Sequence, residues 1–159
     1  MKLIKQILNF IPILIISLVV IVGCDSKPDK QKLESEVYDL LRLTVEMFDN
    51  KNLEGLVNRF TQDGSLKITN YPIVVGHDAL RVNYENNLKL ENFEIKLDVI
   101  KIDISEKGDM AFVLSDYAVS FDIPVGKIQD EGKTLLALKR INDQWKIAAE
   151  NLSSNAPVQ

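Results

Sequence analysis

The apolar pattern changes phase in the middle of one segment, and that change limits the folds open to this chain. Phe93, Ile95, Leu97 and Val99 alternate with Glu94, Lys96 and Asp98, as in a strand with one covered face, but the next apolar set is Ile100, Ile102 and Ile104. A one-residue slip would send every later side chain to the wrong face, so the strand must bulge or bend, and the sheet is expected to be curved. The rest of this half also reads as β. Glu106-Lys107-Gly108-Asp109 is a hairpin turn into a strand from Met110 to Asp122. Ile123-Pro124-Val125-Gly126 starts a looser connection to a strand near Lys133 to Ile141. Asn142-Asp143-Gln144 then turns into a last strand, Trp145 to Ser153.

Upstream, the period is helical. Leu33, Val37, Leu40, Leu41, Thr44, Val45 and Phe48 recur at steps of three and four and form one stripe, which Asp49-Asn50-Lys51-Asn52 ends. Asn52 is a good N-cap for a short second helix carrying Leu53, Leu56, Val57 and Phe60, packed on the first as a hairpin. Asp63-Gly64 signals a turn, and Leu66 and Ile68 alternate with Lys67 and Thr69 as in a short strand. A third helix is expected from His77 to Leu88, with Ala79, Leu80, Asn83 and Tyr84 inward.

The first residues carry a different message. Lys2 and Lys5 precede an apolar run from Phe10 to Val22, shorter than the roughly 20 residues a spanning helix needs. Gly23-Cys24 follows, and the whole looks like the signal peptide of a bacterial lipoprotein, with residues 1–23 removed and Cys24 lipidated. Residues 24–32 are polar and read as a tether, 33–154 as the folded domain and 155–159 as a disordered tail. Cleavage would leave 136 of 159 residues, enough for one core. The implied address is the bacterial cell envelope, on a membrane the sequence does not specify.

Charge and composition remove several classes of function. The formal charge is −4, and losing Lys2 and Lys5 with no acid makes it −6, which argues against nucleic acid as a partner. Cys24 is the one cysteine and His77 the one histidine, so thiol chemistry and histidine-rich metal sites are not expected. No metal and no cofactor is assigned.

Four segments, in order, carry a resemblance to a family. Asn52 to Asp63, Gly76-His77-Asp78-Ala79-Leu80, Gly108-Asp109-Met110-Ala111 and Asn142-Asp143-Gln144-Trp145-Lys146-Ile147 resemble segments of SnoaL-like, nuclear-transport-factor-2-like proteins. The resemblance implies an α+β cone, three N-terminal helices packed on a curved, bent antiparallel sheet. In the ketosteroid isomerase branch, the positions of the base and the two oxyanion groups correspond here to Ile68, Thr44 and Ala137, none of which can do that work at neutral pH. No catalytic residue is therefore assigned.

The polar residues on possible inner faces are Tyr71, Tyr84, Asp116, Tyr117, Asn151 and Ser153, and the first five are taken as candidate binding residues. Asp116 follows Met110, Phe112 and Leu114 in one strand phase and would then face the cone. The expected function is a membrane-anchored, non-enzymatic domain binding a small, partly apolar ligand or an envelope protein. An enzyme using Asp116 as acid or base, with Tyr84 or Tyr117 orienting a hydrophobic substrate, is the alternative. A structural module that dimerises through the outer face of its sheet is a third reading, because both phases of Met110 to Phe121 are largely apolar.

Overall fold

The computed structural model describes residues 27–157. The lipobox, Cys24 and residues 158–159 lie outside that range. Three helices, α1 (Lys30–Asp49), α2 (Leu53–Asn58) and α3 (Gly76–Asn87), pack on one sheet of six strands: β1 (Phe60–Ile68), β2 (Val74–Val75), β3 (Glu91–Ile104), β4 (Met110–Ile123), β5 (Gly126–Ile141) and β6 (Gln144–Ser154). The strand order is β2-β1-β6-β5-β4-β3. The last four strands form an antiparallel meander, and β1 closes the other side by pairing parallel to β6. The expected α+β cone is what the chain forms.

Helix α1 starts inside the expected tether. The Asp29 side chain accepts from Lys32 N at 3.2 Å and caps the helix, so Lys30–Lys32 are its first turn. Gly108, at φ +70, lets the β3–β4 turn close against this start: a Cβ there would lie 2.7 Å from Leu33 Cδ1 and 2.9 Å from Pro28 Cβ. Asn52 caps α2 as expected, accepting from Gly55 N at 2.9 Å. Leu33, Val37, Leu41, Thr44 and Phe48 of α1 are buried against the sheet, so the stripe in the sequence is the packing face.

The slip between Val99 and Ile100 is a bulge. Register with β4 breaks between Val99 and Lys101, and Ile102 and Ile104 return to the concave side that Ile95, Leu97 and Val99 occupy. Three sequence expectations are corrected here. Asp63-Gly64 is not a turn but part of β1, at an irregularity in its register with β6. Between β4 and β5 there is no loose connection: Ile123 pairs with Gly126 across the two residues Pro124-Val125, and pairing continues unbroken to Met110–Lys139. The polar run from Lys127 to Glu131 has weak strand propensity, yet it lies beside β4 and is drawn into its ladder. Asn155 and Ala156, expected in a frayed tail, are bonded to Glu131 O and Ser154 Oγ.

Candidate functional site

The concave side of the sheet divides into a closed polar end and an open groove. At the closed end, Arg59, just after α2, is buried beside groups from four elements. Its Nη1 donates to Thr44 Oγ1 (3.0 Å), and its Nη2 donates to Tyr84 Oη (2.7 Å) and Glu150 Oε2 (3.2 Å). The guanidinium also lies over two rings, 5.0 Å from the Phe60 centroid and 5.6 Å from that of Tyr84. Thr44 Oγ1 in turn donates a hydrogen bond to Leu40 O at 2.9 Å.

These groups are committed to one another. Burial alone would lower the Arg59 pKa, but the Tyr84 oxygen and the Glu150 carboxylate raise it above the ordinary arginine value. Burial lifts the Tyr84 phenol to about 12, with Arg59 drawing it back only in part. The result is a structural ion pair wrapped in aromatic and hydroxyl groups, without a free acid or base near neutral pH.

The open groove lies between α1 and the outer half of the sheet and encloses about 1040 Å³. Leu41 and Val45 of α1 face Ile95, Leu97 and Val99 of β3 across it, Tyr38 stands at its edge, and Tyr117 and Gly132 form its end. Gly132 is needed here because a Cβ would lie 2.7 Å from Tyr117 Cε1, so the tyrosine ring lies over the glycine. Tyr117 donates to Asp130 Oδ2 at 2.8 Å, and the other oxygen, Oδ1, takes a 2.5 Å hydrogen bond from Ser154 Oγ. Burial, then the bond to Asp130 and the charge of that carboxylate, push the Tyr117 phenol well above its ordinary value.

Beyond Tyr117 and Gly132, one pair further along the same face, Ser115 and Thr134 are register partners. They are 0% and 1% exposed, and neither Ser115 Oγ nor Thr134 Oγ1 has a hydrogen-bond partner.

Of the five candidate binding residues, the structure places two on the concave side, Tyr84 in the closed end and Tyr117 in the groove. The other three are corrected. Tyr71 is 67% exposed, just beyond β1. Asp116 belongs to the exposed phase of β4 with Met110, Phe112 and Leu114, opposite to the buried phase of Ala111, Val113, Ser115 and Tyr117, and it borders the groove from that side rather than facing the core of the cone. Asn151 is likewise exposed, and so is Ser153. Ala137 pairs with Phe112 on that same outer phase, so the inward residues beside it are Leu136 and Leu138. Trp145 is core. His77 sits at the start of α3 with Nε2 3.2 Å from Phe60 O, at hydrogen-bond distance. Among the described residues, no group of three or more His, Cys, Asp or Glu is placed to hold a metal, and no helix is long and apolar enough to cross a membrane.

The sequence reading missed Arg59, Glu150, Ser115, Thr134 and Asp130. Arg59 sits between Val57 and Phe60 in an apolar stretch, which was a usable signal. For Glu150 there was none in the alternation alone.

The same shape occurs in solved structures. A protein of unknown function from Mycobacterium tuberculosis superposes with a TM-score of 0.71 at 22% identity, over 82% of this chain and 76% of that one. A ketosteroid isomerase-like protein from Erwinia carotovora atroseptica gives 0.64 at 20%, over 79% and 95%. A type 2 hexachlorocyclohexane dehydrochlorinase gives 0.71 at 14%, over 80% and 88%. At these identities the likeness shows the fold and does not carry over an activity. No curated protein sequence matches the chain. The profile of the SnoaL-like domain matches residues 37–158, and with three helices on a curved six-stranded sheet behind that match, the chain belongs to the SnoaL-like family.

Proposed function

We propose that this chain is a lipid-anchored domain of a bacterial cell envelope that holds a small, partly apolar ligand in the groove between α1 and the sheet without converting it. The observation that carries the reading is the contrast within the concave side. The buried charges at the closed end are paired with each other, while the adjoining groove is open and floored by Leu41, Val45, Ile95, Leu97 and Val99. A groove of this size, with an apolar floor and charged side chains such as Arg42, Glu46, Lys96 and Asp98 at its rim, suits a small, partly apolar ligand. Anchoring rests on the lipobox-like Gly23-Cys24 and the apolar run before it.

The test uses Nile red, an uncharged apolar dye, with the purified chain lacking residues 1–24. Wild type is expected to bind it, and Leu97→Trp, which fills the groove, to weaken binding by roughly tenfold or more. Equal binding by the two proteins, or none by wild type, overturns the reading. In cells, the full-length wild type is expected in the membrane fraction and Cys24→Ser in the soluble fraction or as uncleaved precursor. Identical fractionation sinks the anchoring.

A further inference from the structure

Ser115 and Thr134 are out of character with their surroundings. On the same face, the neighbouring positions across the strands and on the core side along them are Val99, Leu152, Val113 and Leu136, all aliphatic, while Tyr117 and Gly132 adjoin on the other side. Packing alone would favour two more aliphatic side chains there. Instead two hydroxyls sit side by side on adjacent strands, nine-tenths or more buried, with Oγ and Oγ1 unpaired. Buried polar groups are ordinarily hydrogen-bonded, so such a pair calls for a partner supplied from elsewhere.

Neither hydroxyl lines the groove, but both lie one residue pair beyond its end. Val99, which lines it, is the β3 partner of Ser115, and Gly132 and Tyr117 at its end precede Thr134 and follow Ser115 by two residues on the same face. Building on the groove as a ligand site, we infer that Ser115 and Thr134 receive the uncharged polar end of an otherwise apolar ligand: a hydroxyl, carbonyl or amide group. A hydroxyl both donates and accepts, so the pair suits a head that does either.

An anionic head does not fit. Arg42, Arg59 and Arg140 are the arginines on this side, and each is already held by carboxylates, Arg42 by Asp39 and Glu46, Arg59 by Glu150 at 3.2 Å and Arg140 by Glu36 at 3.2 Å and Asp143 at 3.1 Å. A carboxylate brought to Ser115 would lose its water without gaining a counter-charge. Arg42, Lys96 and Lys133 stand where solvent reaches them and would not follow a ligand inward.

The experiment compares 1-octanol with octanoate at pH 8 as competitors of Nile red, on wild type and on the Ser115→Ala/Thr134→Val double variant. Octanol is expected to compete at least about tenfold more strongly than octanoate on wild type, and to lose about tenfold in the double variant once each competition is corrected for that protein's own dye affinity. Melting of the double variant is expected at or above the wild-type temperature, because two unpaired hydroxyls are removed. Octanoate competing as well as octanol, an unchanged octanol affinity in the double variant, or a clear drop in its melting temperature each overturns the assignment. Loss of dye binding in Leu97→Trp together with no octanol preference separates failure of this inference from failure of the groove itself.

Discussion

The two ends of the concave side use polar residues in opposite ways. At the closed end, Thr44, Arg59, Tyr84 and Glu150 come from α1, the end of α2, α3 and β6 and bond to one another through both terminal nitrogens of the guanidinium, leaving only its Nε without a partner, so that a full charge pair is held out of water. The groove has an apolar floor and charged side chains of both signs at its rim, Arg42, Glu46, Lys96 and Asp98 among them, and just beyond its end two neutral groups, Ser115 and Thr134, have no partner at all. The lesson is that a charged residue deep in a cone is poor evidence of chemistry when a counter-charge already holds it. A neutral one left incomplete is better evidence of a ligand.

The largest effect that tests this contrast is on stability. Removing one member of the buried pair strands the other, so Glu150→Ala is expected to cost about 3 to 5 kcal/mol in urea unfolding. Replacing both, Arg59→Met with Glu150→Leu, should cost far less than the single change. A single-variant loss below about 1 kcal/mol would show that the closed end is not built around the pair.

A smaller effect is alkaline. Tyr84 ionises near pH 10 when unfolded and near 12 when folded, so its contribution is complete below pH 10 and is lost as pH rises from 10 to 12, by roughly 3 kcal/mol. Tyr117, also raised, acts in the same direction. Tyr84→Phe is expected to flatten the stability profile over that window. An unchanged profile would mean that the phenol is not shielded.

The back of the sheet gives the third test, on association and not on folding. Phe112, Leu114 and Leu135 are 53%, 40% and 49% exposed there, and the tight Pro124-Val125 turn leaves no loop to cover them. We propose that a second copy covers this face by a two-fold contact, with Lys101, Asp103, Asp98 and Lys133 around the apolar centre able to pair in opposite sense. Sedimentation of the chain lacking residues 1–24 is expected to show a dimer that Leu114→Asp dissociates. A monomer at micromolar concentration removes the proposal.

How much of this was legible depends on contrast between neighbouring residues. The β3 bulge could be read because isoleucines and valine alternate with charges on both sides of it. A second bulge could not. In β6, Ala137 of β5 pairs with Ala149 while Leu138 pairs with Ile147, so Ala148 is the extra residue. Without that shift, Trp145 and Ile147 would share a face with Asn151 and Ser153, the reading made from the sequence. With it, Glu150 and Leu152 turn inward instead. Two alanines gave no contrast from which to see it.

In β4 the difficulty was different. The bulkier apolar phase, Met110, Phe112 and Leu114, faces out, and the smaller phase with Ser115 faces in, so hydrophobicity pointed the wrong way and took Asp116 with it. Helix stripes, the Asn52 cap and the order of elements needed only local information and were readable. The Arg59–Glu150 pair spans 91 positions of sequence and was not.

The bulge in β3 has a consequence for the chain in a crowd. β3 is the outermost strand, 14 residues with a row of backbone groups that another molecule's strand could extend. Beyond Val99 the ladder direction is interrupted and Ile100 is pushed out, 57% exposed. Glu94, Lys96, Asp98, Lys101 and Asp103 stand along the same rim with alternating sign. An incoming strand would meet a kink and mismatched charges before it had formed many bonds. The irregularity that curves the cone thus also guards its border, discouraging the open-ended stacking that a straight apolar rim of this length would invite.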